Sequence, residues 1–330
     1  MLTFHTSVGT EGVEVDLAAA AIPPEVQWID AFRPNRMETA FLERVLGIEV
    51  PTIEDLSSIE TSSRLYVEND RIFLSMAMVY KDVGGMAETT PFGFVLSESL
   101  LLTIRFHPIR ACDHVHDKAV NANRRPASGV NAFISLLEFF IDHVADQLEG
   151  LNGELDRLSH DIFGGKGALG VSGQRGGGGN KDLRLIMRRI GRSGDLTSKL
   201  DDALLGMGRM IPFVVSEAAA WLSADLVSKL KSMQRDITSL NDYETHQNNK
   251  LQFLLDATLG LTNIEQNNIF RILTVVSVVG IPPTLMASIY GMNFKNMPEL
   301  EWHYGYAYGL GVIAVSALIP IVWFKVRGWW

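Results

Sequence analysis

Side chains with neutral oxygen atoms recur along one apolar stretch near the end of this 330-residue chain: Asn267, Thr274, Ser277, Thr284 and Ser288. Their spacing places them on one stripe of an α-helix. Amide and hydroxyl groups can hydrogen-bond a hydrated cation without trapping it, which suits a channel for an ion that keeps its water, such as Mg²⁺. The alternative is ordinary helix–helix packing through small polar residues.

A second chemically dense segment is CDHVHD (112–117), whose cysteine, histidine and aspartate side chains are competent zinc ligands. On a helix its two histidines point roughly 200° apart, so the segment would supply two ligands at best. A solvated helix start with Asp113 as N-cap is the alternative. The glycine-rich segment 164–180 lacks the spacing of a phosphate-binding loop, and we interpret it as a linker. No catalytic motif stands out, so the sequence predicts neither an enzyme nor a bound cofactor.

The composition narrows the class of protein further. Lys and Arg number 29 against 38 Asp and Glu, and the net charge of −9 argues against a nucleic-acid binder while suiting a protein that handles cations. Hydrophobic residues make up 47% and charged residues 20%, which excludes a disordered or fibrous chain. The single cysteine, Cys112, excludes a disulfide framework within the chain.

Two runs without a charged residue, 272–294 and 302–324, predict a first and a second transmembrane helix. Each has 23 residues, and about 20 apolar residues cross the hydrocarbon core of a bilayer. Two buried core helices are the alternative. Because only the short loop 295–301 joins the runs, we expect a helical hairpin whose outer ends lie on the same side of the membrane.

The charges around the hairpin predict its orientation. Basic residues flank it at Arg271, Lys325 and Arg327, whereas the loop carries one lysine, Lys295, against Glu299 and Glu301. By the positive-inside rule both termini, including the tail 325–330, are cytoplasmic and the loop is external. The two glutamates would then attract cations to the outer mouth. Two helices cannot enclose a pathway, so transport would require an oligomer.

Segment 223–271 is predicted to be a helical stalk. It contains no proline and only one glycine, Gly260, and its apolar residues recur at steps of three and four: Leu226, Leu230, Met233, Ile237, Leu240, Leu251, Leu254 and Leu261. The simplest interpretation is one helix from about residue 223 to about 292, roughly 105 Å long at 1.5 Å per residue. Two helices broken near Gly260 are the alternative.

Residues 1–222 are predicted to form a cytoplasmic α+β domain with a helical layer. Runs rich in β-branched and aromatic residues predict strands at 26–30, 72–80, 92–96 and 100–106. Helices are expected from Pro34 to Leu46, ended by Gly47, and from about 131 to 162. A basic helix at 181–192 is predicted to form salt bridges with Asp201, Asp202 and their neighbours rather than to meet anionic lipid.

The sequence YGMNF at 290–294, followed by MPEL at 297–300, resembles the signature of the CorA family of magnesium channels. The likeness covers both spans and the stalk and, more loosely, the N-terminal region around WIDAFRP and VPTIEDL. Related zinc transporters keep Gly-x-Asn but usually lack MPEL, so the sequence is more similar to the magnesium branch. The resemblance implies a homopentameric funnel whose pore is lined by the first transmembrane helix of each subunit.

The resemblance also implies roles for individual residues. Asn293, with Tyr290, Gly291 and Met292 before it, would form the outer selectivity ring. Below it the pore would be lined by Ser288, Thr284 and Ser277, with Asn267 at the cytoplasmic mouth. Leu273 and Ile281 would form a hydrophobic gate.

The stalk residue Asp256 lies where the family has a carboxylate that binds regulatory Mg²⁺ between subunits. Its usual partner is an acidic residue just after the strand that ends here at Tyr80. This sequence has Lys81 at that point and then Asp82, so the second carboxylate of the regulatory site would be Asp82. Pro282-Pro283 doubles the single proline that is usual in the family.

These observations together predict a divalent-cation channel of a bacterial inner membrane, most consistent with Mg²⁺ uptake in a largely hydrated form. Its partners would be four further copies of itself, membrane lipid and divalent cations, with no nucleic acid. Mg²⁺ would be the transported ion and, at Asp256, a regulatory one. A zinc or other transition-metal transporter of the same architecture is one alternative. A membrane-anchored regulatory protein that has lost transport is the other.

Overall fold

The structure is a computed structural model. It describes the following residues: 1–6, 21–58, 60–82, 84–109, 128–164, 179–292, 298 and 302–329. The predictions for segment 112–117, for most of the glycine-rich segment, and for Asn293, Glu299 and Glu301 concern residues outside these ranges. Among the described residues, one compact unit contains 1–164 and 184–255, and a second contains 179–183 and 256–329.

A six-stranded sheet in the order β1-β2-β6-β5-β4-β3 forms the centre of the first unit. Its strands are β1 (Leu2–Thr6), β2 (Val26–Phe32), β3 (Leu65–Glu68), β4 (Arg71–Lys81), β5 (Ala87–Leu96) and β6 (Leu101–Arg105). Strands β2 and β6 pair in parallel, and the other neighbours pair antiparallel. The four predicted strands are therefore confirmed, while β1 and β3 at the sheet edges were not predicted.

Helices cover both faces of this sheet. Helix α1 (Arg36–Leu46) packs Phe41 and Leu42 into a core that includes Val95 of β5. On the opposite face, α4 (Gly129–Phe163) sets Phe133 edge-on against Phe94, with ring centroids 5.2 Å apart. Because neighbouring residues of a strand point to opposite faces, Val95 packs on the side of α1 and Phe94 on the side of α4. Two short helices follow α1 in the chain, α2 (Ile53–Leu56) and α3 (Thr61–Arg64), and Leu56 of α2 lies in the same core as α1.

The ends of α1 follow from its sequence. The Asn35 side chain accepts hydrogen bonds from the backbone N–H groups of Met37 and Glu38, and the Glu38 carboxylate accepts one from Asn35 N–H in return. This capping box satisfies donors that the first helical turn leaves unpaired. Gly47 ends the helix in the left-handed conformation with φ of 66°, which glycine adopts without strain. The predicted helix ending at Leu46 is confirmed.

A buried ion pair joins β2 to β6. The Arg105 guanidinium donates to both carboxylate oxygens of Asp30, at 2.8 Å for the shortest contact. The Thr103 hydroxyl donates to the same carboxylate at 2.8 Å and accepts from Trp28 Nε1 at 3.0 Å. Each carboxylate oxygen is thus hydrogen-bonded, which a charge removed from water requires.

Helices α5 (Gly179–Glu217) and α6 (Ala224–Tyr290) follow in the chain. The predicted basic segment lies at the start of α5, but its ion pairs differ from the prediction. Arg189 contacts Glu154 and Asp161 of α4, at 2.7 and 2.6 Å. The expected pairing with Asp201 and Asp202 was wrong for this arginine, because α4 rather than the next turns of α5 faces it.

Helix α6 is continuous from the stalk into the first charge-free run, as the sequence predicted, and it is not broken at Gly260. It runs through Pro282 and Pro283. The last helix, α7 (Gly305–Val326), covers most of the second run. Both α6 and α7 contain stretches long and apolar enough to cross a membrane, and almost none of either stretch is buried within the chain.

Candidate functional site

The polar stripe (Asn267, Thr274, Ser277, Thr284, Ser288) lies on one face of α6 in the second unit. Successive helical residues turn by about 100°, so the stripe together with Leu273 and Ile281 falls within an arc of roughly 120°. The backbone thus provides the shared face that the sequence predicted. The roles of these residues in conduction remain predictions.

This face is uncovered within one subunit. Leu273 is 59% exposed and Ile281 is 63% exposed, and the stripe is exposed too, apart from the half-buried Ser277. The exposed apolar residues on and around this face need lipid or another protein chain to cover them.

The hydroxyl groups of the polar stripe are held by their own helix. Thr274 donates to the main-chain oxygen of Phe270, Thr284 to that of Gly280, and Ser288 to that of Thr284, each at 2.8 Å. A hydroxyl has one proton to donate and two lone pairs that accept. With that proton committed to the main chain, each of these oxygens can only accept hydrogen bonds from whatever lies in front of the stripe.

The two prolines lie away from this arc. Helical geometry turns Pro282 and Pro283 roughly 120° to either side of the middle of the arc. A proline has no N–H, so the main-chain oxygens of Val278 and Val279 lose their helical donors. The two prolines therefore remove main-chain hydrogen bonds outside the face that carries the polar stripe. The hydrogen bonds of Thr284 and Ser288 stay in place.

The end of α6 meets the start of α7. The Tyr290 ring lies close to Gly309, where an added Cβ would be 3.9 Å from the ring. Gly291 N–H still donates to Ala287 O at 3.0 Å, and Met292 N–H donates to Ile289 O at 3.2 Å, so the last turn tightens here. A Cβ on Gly291 would lie 3.2 Å from Ala287 O, which leaves little room for a larger residue.

The two carboxylates predicted to bind regulatory metal lie in different units. Asp82 lies in the turn between β4 and β5, where its Oδ1 accepts from Met86 N–H at 2.7 Å. Lys81 is the last residue of β4, and Asp256 is exposed on α6. Within the described part of the chain, no three His, Cys, Asp or Glu residues are placed to hold a metal ion. The regulatory role of Asp82 and Asp256 stays a prediction.

Sequence reasoning did not single out one buried acid on α6. Glu244 is only 6% exposed, although it belongs to the polar middle of the stalk. It lies one heptad after Ile237 and one before Leu251, both of which are buried. That spacing is the signal in the sequence that would have placed it on the packed face.

The chain is similar to known proteins along most of its length. The family model described as "CorA-like Mg2+ transporter protein" matches residues 24–325. The magnesium transport protein CorA of Yersinia pseudotuberculosis is 30% identical over 302 residues, which is 92% of this chain and 91% of that protein. CorA of Pasteurella multocida is also 30% identical, with the same coverage. The complete structure of the CorA magnesium transporter from Methanocaldococcus jannaschii superposes with a TM-score of 0.73 at 20% identity, covering 100% of this chain and 98% of that one.

Proposed function

Because this chain belongs to the CorA-like Mg²⁺ transporter family, and is thus a membrane transporter of divalent cations rather than an enzyme, we propose that it conducts Mg²⁺ with most of its water attached. The observation that carries the proposal is the hydrogen bonding of Thr274, Thr284 and Ser288, whose protons are all committed to the main chain.

The chemistry of a hydrated cation matches such a surface. Water bound to Mg²⁺ turns its oxygen towards the ion and its protons outwards, so the hydrated ion presents hydrogen-bond donors in every direction. A wall of acceptors can hold it without competing for the ion itself, and Mg²⁺ gives up its first water shell reluctantly. The absence of carboxylates from the polar stripe keeps binding weak enough for release.

The pathway forms between subunits. One chain supplies two spans, and the exposed face of α6 has no cover of its own. In our proposal five copies place this face around a common axis, with lipid against the remaining surface. Asn293 then forms a ring of amide oxygens at the outer mouth, next to Tyr290, Gly291 and Met292, where hydrated Mg²⁺ is selected.

The gate and the entry lie at opposite ends of this pathway. Leu273 and Ile281 form apolar rings that exclude water when they are narrow, which stops an ion that travels with its water. At the outer end, Glu299 and Glu301 raise the local concentration of cations. In this proposal the protein lies in the inner membrane of a bacterium. Both of its termini are in the cytoplasm, because basic residues flank the two outer ends of the hairpin and such residues favour the cytoplasmic side.

The proposal includes regulation by cytoplasmic Mg²⁺ at Asp256, in one of two forms. In one form, Mg²⁺ bridges Asp256 and Asp82 of neighbouring subunits and its loss lets them separate. In the other, Lys81 neutralises Asp256 permanently. Protease digestion of the stalk with and without millimolar Mg²⁺ distinguishes them, since only the first form predicts Mg²⁺-dependent protection that Asp256→Ala abolishes.

The deciding experiment measures Mg²⁺ and Zn²⁺ flux into liposomes containing the purified protein. Wild type should conduct Mg²⁺, Asn293→Ala should not, and Asn249→Ala, the same change on the exposed stalk, should conduct normally. Zn²⁺ flux without Mg²⁺ flux would support the transition-metal alternative instead. No flux of either ion would support a regulatory protein that has lost transport. Normal flux through Asn293→Ala would contradict the assignment of Asn293 to the selectivity ring.

A further inference from the structure

The chain turns back on itself at the end of α7. Gly328 N–H donates to Lys325 O at 3.2 Å and Trp329 N–H donates to Phe324 O at 3.0 Å, with Gly328 in the left-handed conformation at φ of 69°. These two bonds form the Schellman motif, which ends a helix and brings the following side chain back onto it. Trp329 therefore packs on Phe324, with ring centroids 5.5 Å apart, and Phe324 is only 3% exposed.

The same turn holds an arginine over an aromatic ring. The central carbon of the Arg327 guanidinium lies 5.4 Å from the centre of the Trp323 ring, which is a cation–π contact. This contact limits where the guanidinium can lie but leaves its N–H donors free to bind an anion. Within the part of the chain that the structure describes, the Arg327 side chain has no ion pair and no hydrogen bond.

Arg327 lies on the side of α7 that faces α6. Gly309 marks this side, because an added Cβ there would be 3.9 Å from the Tyr290 ring of α6. Arg327 follows Gly309 by 18 residues, which is about five full turns of a helix, so the two positions share one side. Lys325 is rotated by about 200° from Arg327 and lies on the opposite side. Partly or fully buried residues continue the shared side towards Arg327: Ile313, Ala317, Pro320 and Phe324.

A second arginine lies at the same depth on α6. Arg271 precedes Tyr290 by 19 residues, almost as many as separate Gly309 from Arg327 on the returning helix. At 1.5 Å per residue, each arginine is roughly 28 Å along its helix from the contact between Tyr290 and Gly309. The Arg271 side chain donates to Asn268 Oδ1 and has no ion pair among the described residues. Two arginines thus flank the same end of the helix pair.

The chain offers these arginines no acidic partner. After Glu265, the sequence has acidic residues only at positions 299 and 301, in the loop at the other end of the hairpin. Glu265 precedes Arg271 on α6 and forms no ion pair in the described part of the chain. The complementary charge must therefore come from outside the chain. Because both helices have stretches that can cross a membrane, the arginines lie at its surface, where lipid phosphates are found.

We propose that Arg271 and Arg327 bind the phosphate of one anionic phospholipid, with Trp323 and Trp329 beside its glycerol group. Guanidinium groups match phosphate oxygens through paired N–H donors, and tryptophan favours the boundary between headgroups and acyl chains. A zwitterionic lipid brings an ammonium group that the two arginines repel, so the site selects an anionic one. A lipid fits better than a free phosphate ion because α7 also offers exposed apolar residues, such as Ile319 at 64%, to the acyl chains.

The bound lipid would join the two helices at one membrane surface. Arg271 lies two residues before Leu273, so the lipid would restrain α6 beside the proposed gate. This consequence rests on the proposed function. Lipid binding itself rests only on the presence of the hairpin in a membrane.

The test is native mass spectrometry of the full-length protein in detergent, titrated with dioleoylphosphatidylglycerol or with dioleoylphosphatidylcholine. Wild type should bind the anionic lipid more tightly than the zwitterionic one. Arg271→Gln and Arg327→Gln should each weaken binding of the anionic lipid about fivefold, the effect expected for one basic residue at a membrane surface. Trp323→Leu keeps every charge but removes the ring under the guanidinium, so it should weaken binding too. Lys325→Gln is the matched control, because it removes one charge at nearly the same depth from the other side of α7, and it should bind like wild type.

Thermal unfolding guards against a folding defect in these variants. Without added lipid, Arg327→Gln should have the Tm of wild type, and it should lose the rise in Tm that phosphatidylglycerol gives to wild type. An equal loss of binding in Lys325→Gln would reveal diffuse charge attraction only and would overturn the proposal. Equal affinity for the two lipids, or displacement of the lipid by inorganic phosphate, would overturn it as well. Because these measurements contain no Mg²⁺, their failure would leave the proposed transport untouched, and a failure of transport would leave lipid binding untouched.

Discussion

Ser288 donates its hydroxyl proton to the main-chain oxygen of Thr284, one helical turn earlier, at 2.8 Å. Thr284 does the same to Gly280, so two successive turns of α6 carry hydroxyl oxygens that can only accept. This local geometry is set by the helix itself, because serine and threonine within a helix commonly bond the carbonyl four residues back. Because of this geometry, the face of α6 that carries Thr284 and Ser288 can offer hydrogen-bond acceptors to an ion.

Replacing Ser288 by alanine should lower Mg²⁺ flux in liposomes. The change removes an acceptor from every subunit, and one net hydrogen bond of about 1 kcal/mol corresponds to roughly a fivefold change in rate. The matched control is Ser239→Ala, since Ser239 makes the same bond, to Arg235 O at 3.0 Å, outside the charge-free run of α6. Equal flux through both variants would show that the Ser288 oxygen does not contact the ion.

Replacing Leu273 or Ile281 by serine should raise the leak of cations through the closed protein. Each change makes a proposed apolar ring polar, and water then fills the constriction at lower cost. Ile272→Ser is the control, because Ile272 is equally exposed at 65% but lies outside the arc of the stripe. Conductance measured in planar bilayers at high Mg²⁺ should separate the three variants. A leak from Ile272→Ser as large as from the other two would place the gate elsewhere.

The stalk should hold the subunits together through apolar side chains outside the membrane. Leu259 is 45% exposed and Ile264 is 58% exposed on the part of α6 that precedes the first charge-free run. Ile264→Asp should therefore reduce the mass of the particle in mild detergent, measured by light scattering. Ile53→Asp, on the short helix α2, is the control and should leave the mass unchanged. A monomeric or dimeric wild type would contradict the pentamer itself.

Breaking the buried pair between Asp30 and Arg105 should strongly destabilise the sheet. Asp30→Ala leaves the guanidinium buried without its partner and should lower the free energy of unfolding by about 3–5 kcal/mol. Asp156→Ala is the comparison, because its pair with Lys250 is exposed, and it should cost less than about 1 kcal/mol. Urea unfolding followed by circular dichroism measures both. Similar losses would mean that burial of the first pair adds nothing.

Stability should also depend on the ionisation of Asp55. Hydrogen bonds from the side chain and then the backbone N–H of Thr52 lower the pKa of Asp55 below its ordinary value of 3.8. The stabilisation is therefore present above that value and is lost as the pH falls through the lowered pKa. Asp55→Asn should cost about 0.5–1 kcal/mol at pH 7, as a lost cap does, and progressively less below pH 3.8. A pH-independent difference in Tm would argue against this role.

The sequence predicted the strongly patterned parts of the fold. The charge-free runs and the unbroken periodicity of α6 depend on local composition, and so does the end of α1 at Gly47. Strands β1 and β3 were missed because each is short, and each exists through pairing with β2 or β4 rather than through its own pattern. Their residues acquire strand geometry only from tertiary context.

The candidate site also has some features that the sequence predicts and others that it does not. A shared face for Thr284 and Ser288 follows from helical spacing alone, and the arrangement of their hydroxyls follows from the turn before each. The pairing of Arg189 with α4 was mispredicted, because it depends on the register between two helices. Nothing local in the sequence specifies which turns of two helices meet.

Pro282 and Pro283 give α6 a mechanical property as well as a gap in its hydrogen bonding. Two consecutive main-chain hydrogen bonds are missing on one side, those that Val278 and Val279 would accept from residues 282 and 283, next to the proposed gate residue Ile281. A helix that lacks these hydrogen bonds bends more easily at that point. We therefore expect the part of the span after Pro283 to bend relative to the part before Pro282, and we expect Pro283→Ala, which restores one hydrogen bond, to reduce that bending.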